Sequence, residues 1–150
     1  MVAVAIVTTA ACATAADSTA PALALTEVAA AGIPDDWVEV LNVSDEPVEL
    51  VDFVVVDERG RLDRARPLGA TTLAPGERQV CAIDDATTGF RLAGDEEVWI
   101  YRAADGALVD GVDWAQGASP PGGSLARRGD SGGFATITTD SRGAANPGVP

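Results

Sequence analysis

Past residue 22 the chain advances in short apolar runs, each closed by glycine, proline, aspartate or asparagine. "LALTEVAA" (23–30), "WVEVLNV" (37–43), "PVELVDFVVVDE" (47–58), "RQVCAI" (78–83), "EVWIYRA" (97–103), "ALVDGVDW" (107–114) and "FATIT" (134–138) follow one another. Each run is of strand length and rich in β-branched or aromatic residues, the pattern of a strand bounded by turns. No window sustains a helical period. Seven or more short strands at this spacing predict an all-β sandwich of about seven to nine strands. The 150 residues suffice for one domain, and a chain of that size buries roughly 70% of its unfolded surface on folding.

Several connections are legible one by one. Asp105 and Gly106 separate "VWIYR" from "LVDGVDW", and Asp-Gly is a strong hairpin signal. "NVSDEP" (42–47) turns the chain, because Asn, Ser and Asp side chains bond nearby backbone. Ala74-Pro75-Gly76-Glu77 reads as a tight turn in which Pro fixes one position and Gly supplies positive φ at the next. In "VELVDFVV", Leu50 and Phe53 are three apart, so strict alternation sends them to opposite faces; a bulge near Val51 and Asp52 would bring both inward. Trp37, Trp99 and Trp114 are expected to cover or fill the core between sheets, with an aromatic binding platform as the alternative.

Composition then removes whole classes of chemistry. The formal net charge is −13, histidine is absent, and all ten cations are arginine. Without histidine, neither a Ser-His-Asp triad nor a Cys-His pair forms within the chain. Without lysine, a Ser-Lys dyad, a Schiff base and a Walker-type phosphate site are excluded. Common zinc sites need histidine or several cysteines, and only Cys12 and Cys81 exist. Nucleic acid is not an expected partner, because its phosphates require a positive field. Arg59, Arg61, Arg64 and Arg66 are interleaved with Asp57, Glu58 and Asp63. They read as a solvated, locally balanced loop, with a docking spot for an anionic partner as the lesser alternative.

"RRGDSGGF" (127–134) contains both the Arg-Gly-Asp tripeptide of integrin ligands and the Gly-Asp-Ser-Gly-Gly of chymotrypsin-like proteases. Ser131 has no base to take its proton, so the protease reading fails. The integrin reading needs an exposed loop. The plain reading is a glycine-rich turn before a strand.

Carboxylates alone remain for acid–base work. They gather at Asp35 and Asp36, Asp84 and Asp85, Asp95 to Glu97, and Asp110 with Asp113. Two such groups converging at one end of a sandwich would suit Ca²⁺, which takes six to eight oxygens. No Asp-x-Asp-x-Asp-Gly loop is present, and solubilising acidic loops are the expected role. Glu39 lies in a strand among Val38, Val40 and Leu41. There it either faces solvent or bonds the turn at 42–46. Glycosidase chemistry would need a second carboxylate about 5 to 9.5 Å away, and nothing in the sequence supplies that partner. No catalytic, cofactor-binding or metal-binding residue is assigned.

Residues 1–16, "MVAVAIVTTAACATAA", carry no charge. A spanning helix needs about 20 apolar residues, and an export signal fits this shorter Ala/Thr-rich stretch better. Ala13-Thr14-Ala15 offers small residues for a signal peptidase, whereas Thr9-Ala10-Ala11-Cys12 is similar to a bacterial lipobox and would lipidate Cys12. The basic n-region is missing. Cys81 is then a lone thiol, expected as a small buried hydrophobe, with a Cys12–Cys81 disulfide as the alternative. Residues 1–22 are assigned to leader and tether, and 23–150 to the folded domain.

In this order, the segments resemble the lamin-tail domain family. "LTEV" with "DDWVEVLNVSDEPVEL" is similar to that family's opening, where a strand ends in Asn and the turn carries Ser-Asp. "TTLAPGERQVCA" resembles its Leu-x-Pro-Gly turn, and "DEEVWIYRAADGALVDGVDW" its central hairpin. "PPGGSLARRGD" resembles its Pro-Gly-Gly-Ser segment and "NPG" (146–148) its terminal signature. The resemblance covers about residues 23–148. It implies an immunoglobulin-like sandwich, found at the tail of nuclear lamins and in bacterial exported proteins, with no catalytic site of its own. The expectation is a secreted or lipid-anchored, non-enzymatic module without a cofactor. It would engage a protein or cell-envelope partner through loops or an exposed sheet, and meet the membrane only through a lipid on Cys12. The rivals are a carboxylate-only glycan hydrolase and a calcium-dependent adhesion module.

Overall fold

The computed structural model describes residues 21–32 and 35–148. The chain is all-β and its strands pair antiparallel throughout. The strands are β1 (Leu23–Ala29), β2 (Asp36–Asn42), β3 (Val48–Glu49), β4 (Phe53–Val56), β5 (Arg66–Pro67), β6 (Thr72–Leu73), β7 (Arg78–Ile83), β8 (Glu96–Arg102), β9 (Leu108–Trp114), β10 (Ser124–Arg127) and β11 (Phe134–Ile137). A first sheet has the order β11-β10-β1-β2-β7, a second has β5-β4-β8-β9, and β3 with β6 makes a two-stranded ribbon. Leu25, Val28, Val38, Val40 and Ile83 of the first sheet share one buried cluster with Phe53, Val55, Val98, Ile100 and Trp114 of the second. The core therefore lies between the two larger sheets, consistent with a β-sandwich.

The expected turns form. Gly76 has φ +76° and Gly106 has φ +68°, values that favour glycine because a Cβ there is strained. Gly76 N donates to Asn42 O, and Glu77 N to Ala74 O. The Asn42 side chain saturates the preceding turn: Nδ2 donates to Glu46 O (2.8 Å) and Leu73 O (2.9 Å), while Oδ1 accepts from Ser44 N (2.9 Å) and Ser44 Oγ (2.8 Å).

Three local expectations differ from what forms. The run 47–58 is two strands, β3 and β4, joined by a 3-10 turn at Leu50–Asp52. Leu50 and Phe53 are both buried, through that turn and not through a bulge, because the chain changes sheets there. A bulge occurs instead on β1, where the register against β2 shifts between Leu25 and Glu27. The extra residue keeps Leu25 and Val28 both on the core side. Of the tryptophans only Trp114 joins the core cluster. Trp37 and Trp99 alternate with the core residues Val38, Val98 and Ile100, so they lie on the outer faces of the two sheets. There Arg142 stacks over Trp37 and Arg59 over Trp99, each 4.5 Å from the ring centroid.

Candidate functional site

Glu39 does have a carboxylate partner. Glu27 of β1 stands directly opposite it on β2, and both alternate with core valines, so both occupy the outer face of the first sheet. Directly opposed residues hold their Cβ atoms roughly 5 Å apart. Yet both glutamates have no exposed surface, because the segment after β11 folds back over them. Glu27 accepts from Ser124 Oγ, from Ser141 N (2.9 Å) and from Ser141 Oγ (2.8 Å). Glu39 accepts from Thr26 Oγ1 (2.7 Å), from Gly143 N (2.7 Å) and from the Arg78 guanidinium (3.2 Å). Buried polar groups need hydrogen-bond partners, and each carboxylate has three donors, with the Arg78 guanidinium beside Glu39.

Asn146 holds the covering strap in place. Its Nδ2 donates to Thr26 O (2.7 Å) and Arg127 O (3.0 Å), and its Oδ1 accepts from Ser141 Oγ (2.9 Å). The first of these bonds reaches the bulged residue of β1. The sequence carried a signal for the pair: "TEV" (26–28) and "VEV" (38–40) put a glutamate inside each of two consecutive strand-like runs. It carried none for Ser141 as their cover.

A half-buried ion pair joins the two layers. Arg127 Nη2 meets Asp110 Oδ1 at 2.6 Å, and Arg127 Nε donates to Leu25 O at 2.6 Å. Asp110 Oδ2 accepts from Leu25 N (2.8 Å), so β9 of the second sheet is tied to β1 of the first. Arg127 Nη1 also reaches Gly132 O (3.0 Å), anchoring the base of the Arg-Gly-Asp turn. That turn is a 3-10 turn, Arg128–Ser131, in the β10–β11 hairpin. Arg128 and Ser131 are exposed there.

The acidic loops divide by role. Asp35 and Asp85 do converge, but on Arg91, at 3.3 Å each. Asp36 accepts from Leu92 N (3.0 Å), and burial raises its carboxyl above the usual range. Asp84 closes its own turn onto Ala86 N and Thr87 N, and the Thr87 bonds hold its carboxyl low. Arg61 sits between Glu58 and Asp63 at 3.0 Å from each, as a locally balanced loop would have it. Among the described residues no three of Cys, Asp and Glu form a group suited to a metal ion.

Asp57, Glu58, Glu96, Glu97 and Asp113, with Arg64, line an open cleft of about 460 Å³. Burial, then the charges of Asp57, Glu97 and Asp95, push the Glu96 carboxyl up, against a bond from Ala93 N that pulls it down. Glu97 accepts from Arg59 N (2.6 Å). Cys81 is a buried free thiol in the core cluster, and desolvation pushes it up to about 12. Cys12, the candidate lipidation site, and both proposed cleavage positions lie outside the described residues. Among the described residues no helix is long and apolar enough to cross a membrane. Comparison with protein-family models, with curated proteins and with solved structures found no match.

Proposed function

We propose that the chain is a non-catalytic binding module of lamin-tail type, an immunoglobulin-like sandwich that is exported and engages a protein or cell-envelope partner. The observation that carries this reading is the burial of Glu27 and Glu39 beneath the strap. Their opposed carboxylates hold the C-terminal segment to the sheet, and a substrate has no route to them. The segments behind the resemblance also hold the architecture together: Asn42 fixes the first turn and Asn146 the strap. A labelled chain should bind isolated bacterial envelope saturably and be displaced by unlabelled chain. Non-saturable adsorption would remove the reading. A calcium-dependent isotherm would replace it with the adhesion alternative.

One observation favours the hydrolase. Glu96, held up by burial, shares an open cleft with Asp57, Glu97 and Asp113. A raised carboxylic acid near an ionised one is the pairing glycoside hydrolysis uses. Against it, the cleft is lined by charges alone, whereas ligand sites are lined predominantly by apolar and aromatic side chains. Turnover of a cell-wall glycan that Glu96→Gln abolishes would decide for the hydrolase.

A further inference from the structure

The Arg-Gly-Asp tripeptide begins where the β10–β11 ladder ends. Arg127 with Phe134 is the last pair, and residues 128–133 make the tip. The tip is closed by its own main chain: Gly132 N donates to Arg128 O at 3.0 Å, and Arg128 N to Gly133 O at 3.1 Å. Beneath it the Arg127 guanidinium meets Gly132 O, Asp110 and Leu25 O. The same guanidinium stacks over Phe134, 4.4 Å from the ring centroid. One side chain therefore fixes the turn to β1 and β9, and so to both large sheets. A loop held in one conformation before binding loses less entropy when a partner arrives.

Above the turn the space is open. Arg128, Gly129 and Ser131 are exposed. Gly129 has φ +48°, and an added Cβ there meets no atom within 4 Å. Backbone conformation, not crowding, thus favours glycine at the middle of the tripeptide. Most other arginines are engaged within the fold. Arg61, Arg91, Arg102 and Arg127 each meet a carboxylate, Arg59 and Arg142 cover tryptophans, and Arg66 donates to carbonyls. Among the described residues the Arg128 side chain has no carboxylate, carbonyl or ring partner.

The geometry points to this turn as the binding site for an integrin-type receptor, one whose divalent cation takes the Asp130 carboxylate while an acidic pocket takes the Arg128 guanidinium. The inference rests on the exported binding-module reading and names its partner class. A guanidinium grips a carboxylate through two parallel N–H···O bonds. A carboxylate is the hard oxygen ligand by which Mg²⁺ is held. The two demands are opposite in charge, so such a receptor reads the order of the residues as well as their presence. Gly129 places no side chain between the two receptor groups.

The test immobilises the full chain and titrates it with a purified Arg-Gly-Asp-binding integrin ectodomain in Mg²⁺. Binding should be saturable, abolished by EDTA and displaced by a short soluble Arg-Gly-Asp peptide. Arg128→Gln and Asp130→Asn should each weaken it at least about thirtyfold, the effect of truncating one side of a desolvated charge pair. Asp130→Glu keeps the charge but moves the carboxylate by one methylene. It should weaken binding comparably, because Mg²⁺ demands near-ideal geometry. Exchanging the two residues, Arg128→Asp with Asp130→Arg, preserves composition and net charge and should abolish binding. Unaltered melting shows that each variant is folded. No binding by the unaltered chain overturns the site, and so does binding that survives EDTA, Asp130→Glu or the exchange. The envelope assay separates the two readings: saturable envelope binding without receptor binding overturns the turn's role alone, whereas failure of both removes the module reading as well.

Discussion

Replacing Asn146 by alanine tests whether the C-terminal strap is part of the fold. Asn146 is 6% exposed and donates to the main-chain oxygens of Thr26 and Arg127. Alanine leaves both carbonyls, and the Ser141 hydroxyl, without that partner. Each buried group left unsatisfied costs about 1–3 kcal/mol. Thr26 O is fully enclosed, while Arg127 O is only partly so and water can relieve it. The sum is about 3 kcal/mol. At about 2–4 °C per kcal/mol for a chain of this length, the melting temperature should fall by about 6–12 °C.

Asn146→Asp should be worse, because it brings acceptors alone toward two carbonyls and toward Glu27. Far-UV circular dichroism gives the unfolding transition. Tryptophan emission gives a second readout, since Arg142 on the strap covers Trp37, and release of the strap should shift that emission to the red before the sheets melt. A change below about 0.5 kcal/mol in both variants, the range of ordinary surface substitutions, with unchanged emission, would show that the segment contributes nothing and that the glutamates are covered by something else.

Arg127→Ala should destabilise by about 2 kcal/mol, less than the roughly 3–5 kcal/mol for a fully buried pair, because Arg127 and Asp110 keep 18% of their side-chain surface; chemical denaturation measures it, and a neutral result would refute the inter-sheet pin. Gly76→Ala should cost about 1–2 kcal/mol through backbone strain alone, since φ is +76° and an added Cβ meets no atom within 4 Å; a stability equal to wild type would mean the turn is not held there. For Cys81, burial raises the folded thiol to about 12, so the unfolded chain releases its proton first as pH rises. The stabilisation is complete below the unfolded thiol's range, and it is lost progressively as pH climbs toward about 12. Native Cys81 should therefore resist alkylation near neutral pH and react on unfolding, and rapid labelling of the native chain would refute its burial.

The elements legible in the sequence were those whose causes are local. β1, β2, β7, β8 and β9 announce themselves by composition and length, and Gly76 and Gly106 by the conformation their turns require. β5 and β6, at two residues each, are too short to display a period. β10 was read as part of a resemblance, not as a strand, because "SLAR" offers four residues after a glycine pair. The change of sheet at Leu50–Asp52 was visible only as a misplaced phase, and two devices, a bulge and a turn, correct a phase equally well. The strap was beyond local reading: Asn146 and Thr26 are 120 positions apart in sequence.

Both outer faces are held by the same means, which is why Trp37, Trp99 and Glu39 are covered on faces away from the inter-sheet core. Polar residues alternating with apolar ones along a strand normally mark a solvent face. On β2, however, every residue is buried, because the strap lays Gly143 N on Glu39 and Arg142 on Trp37. On the second sheet the loop after β4 repeats the arrangement. Gly60 N donates to the Tyr101 hydroxyl at 2.8 Å, Arg59 N to Glu97, and the Arg59 guanidinium covers Trp99. In this chain an outward glutamate, tyrosine or tryptophan serves as an anchor for covering backbone, whose N–H groups need acceptors once they leave water. The alternating pattern thus located the core correctly but gave the wrong identity to what lies behind it. A chain with no lysine and few aromatics closes both faces with carboxylates and arginines because those are the long polar side chains its composition supplies.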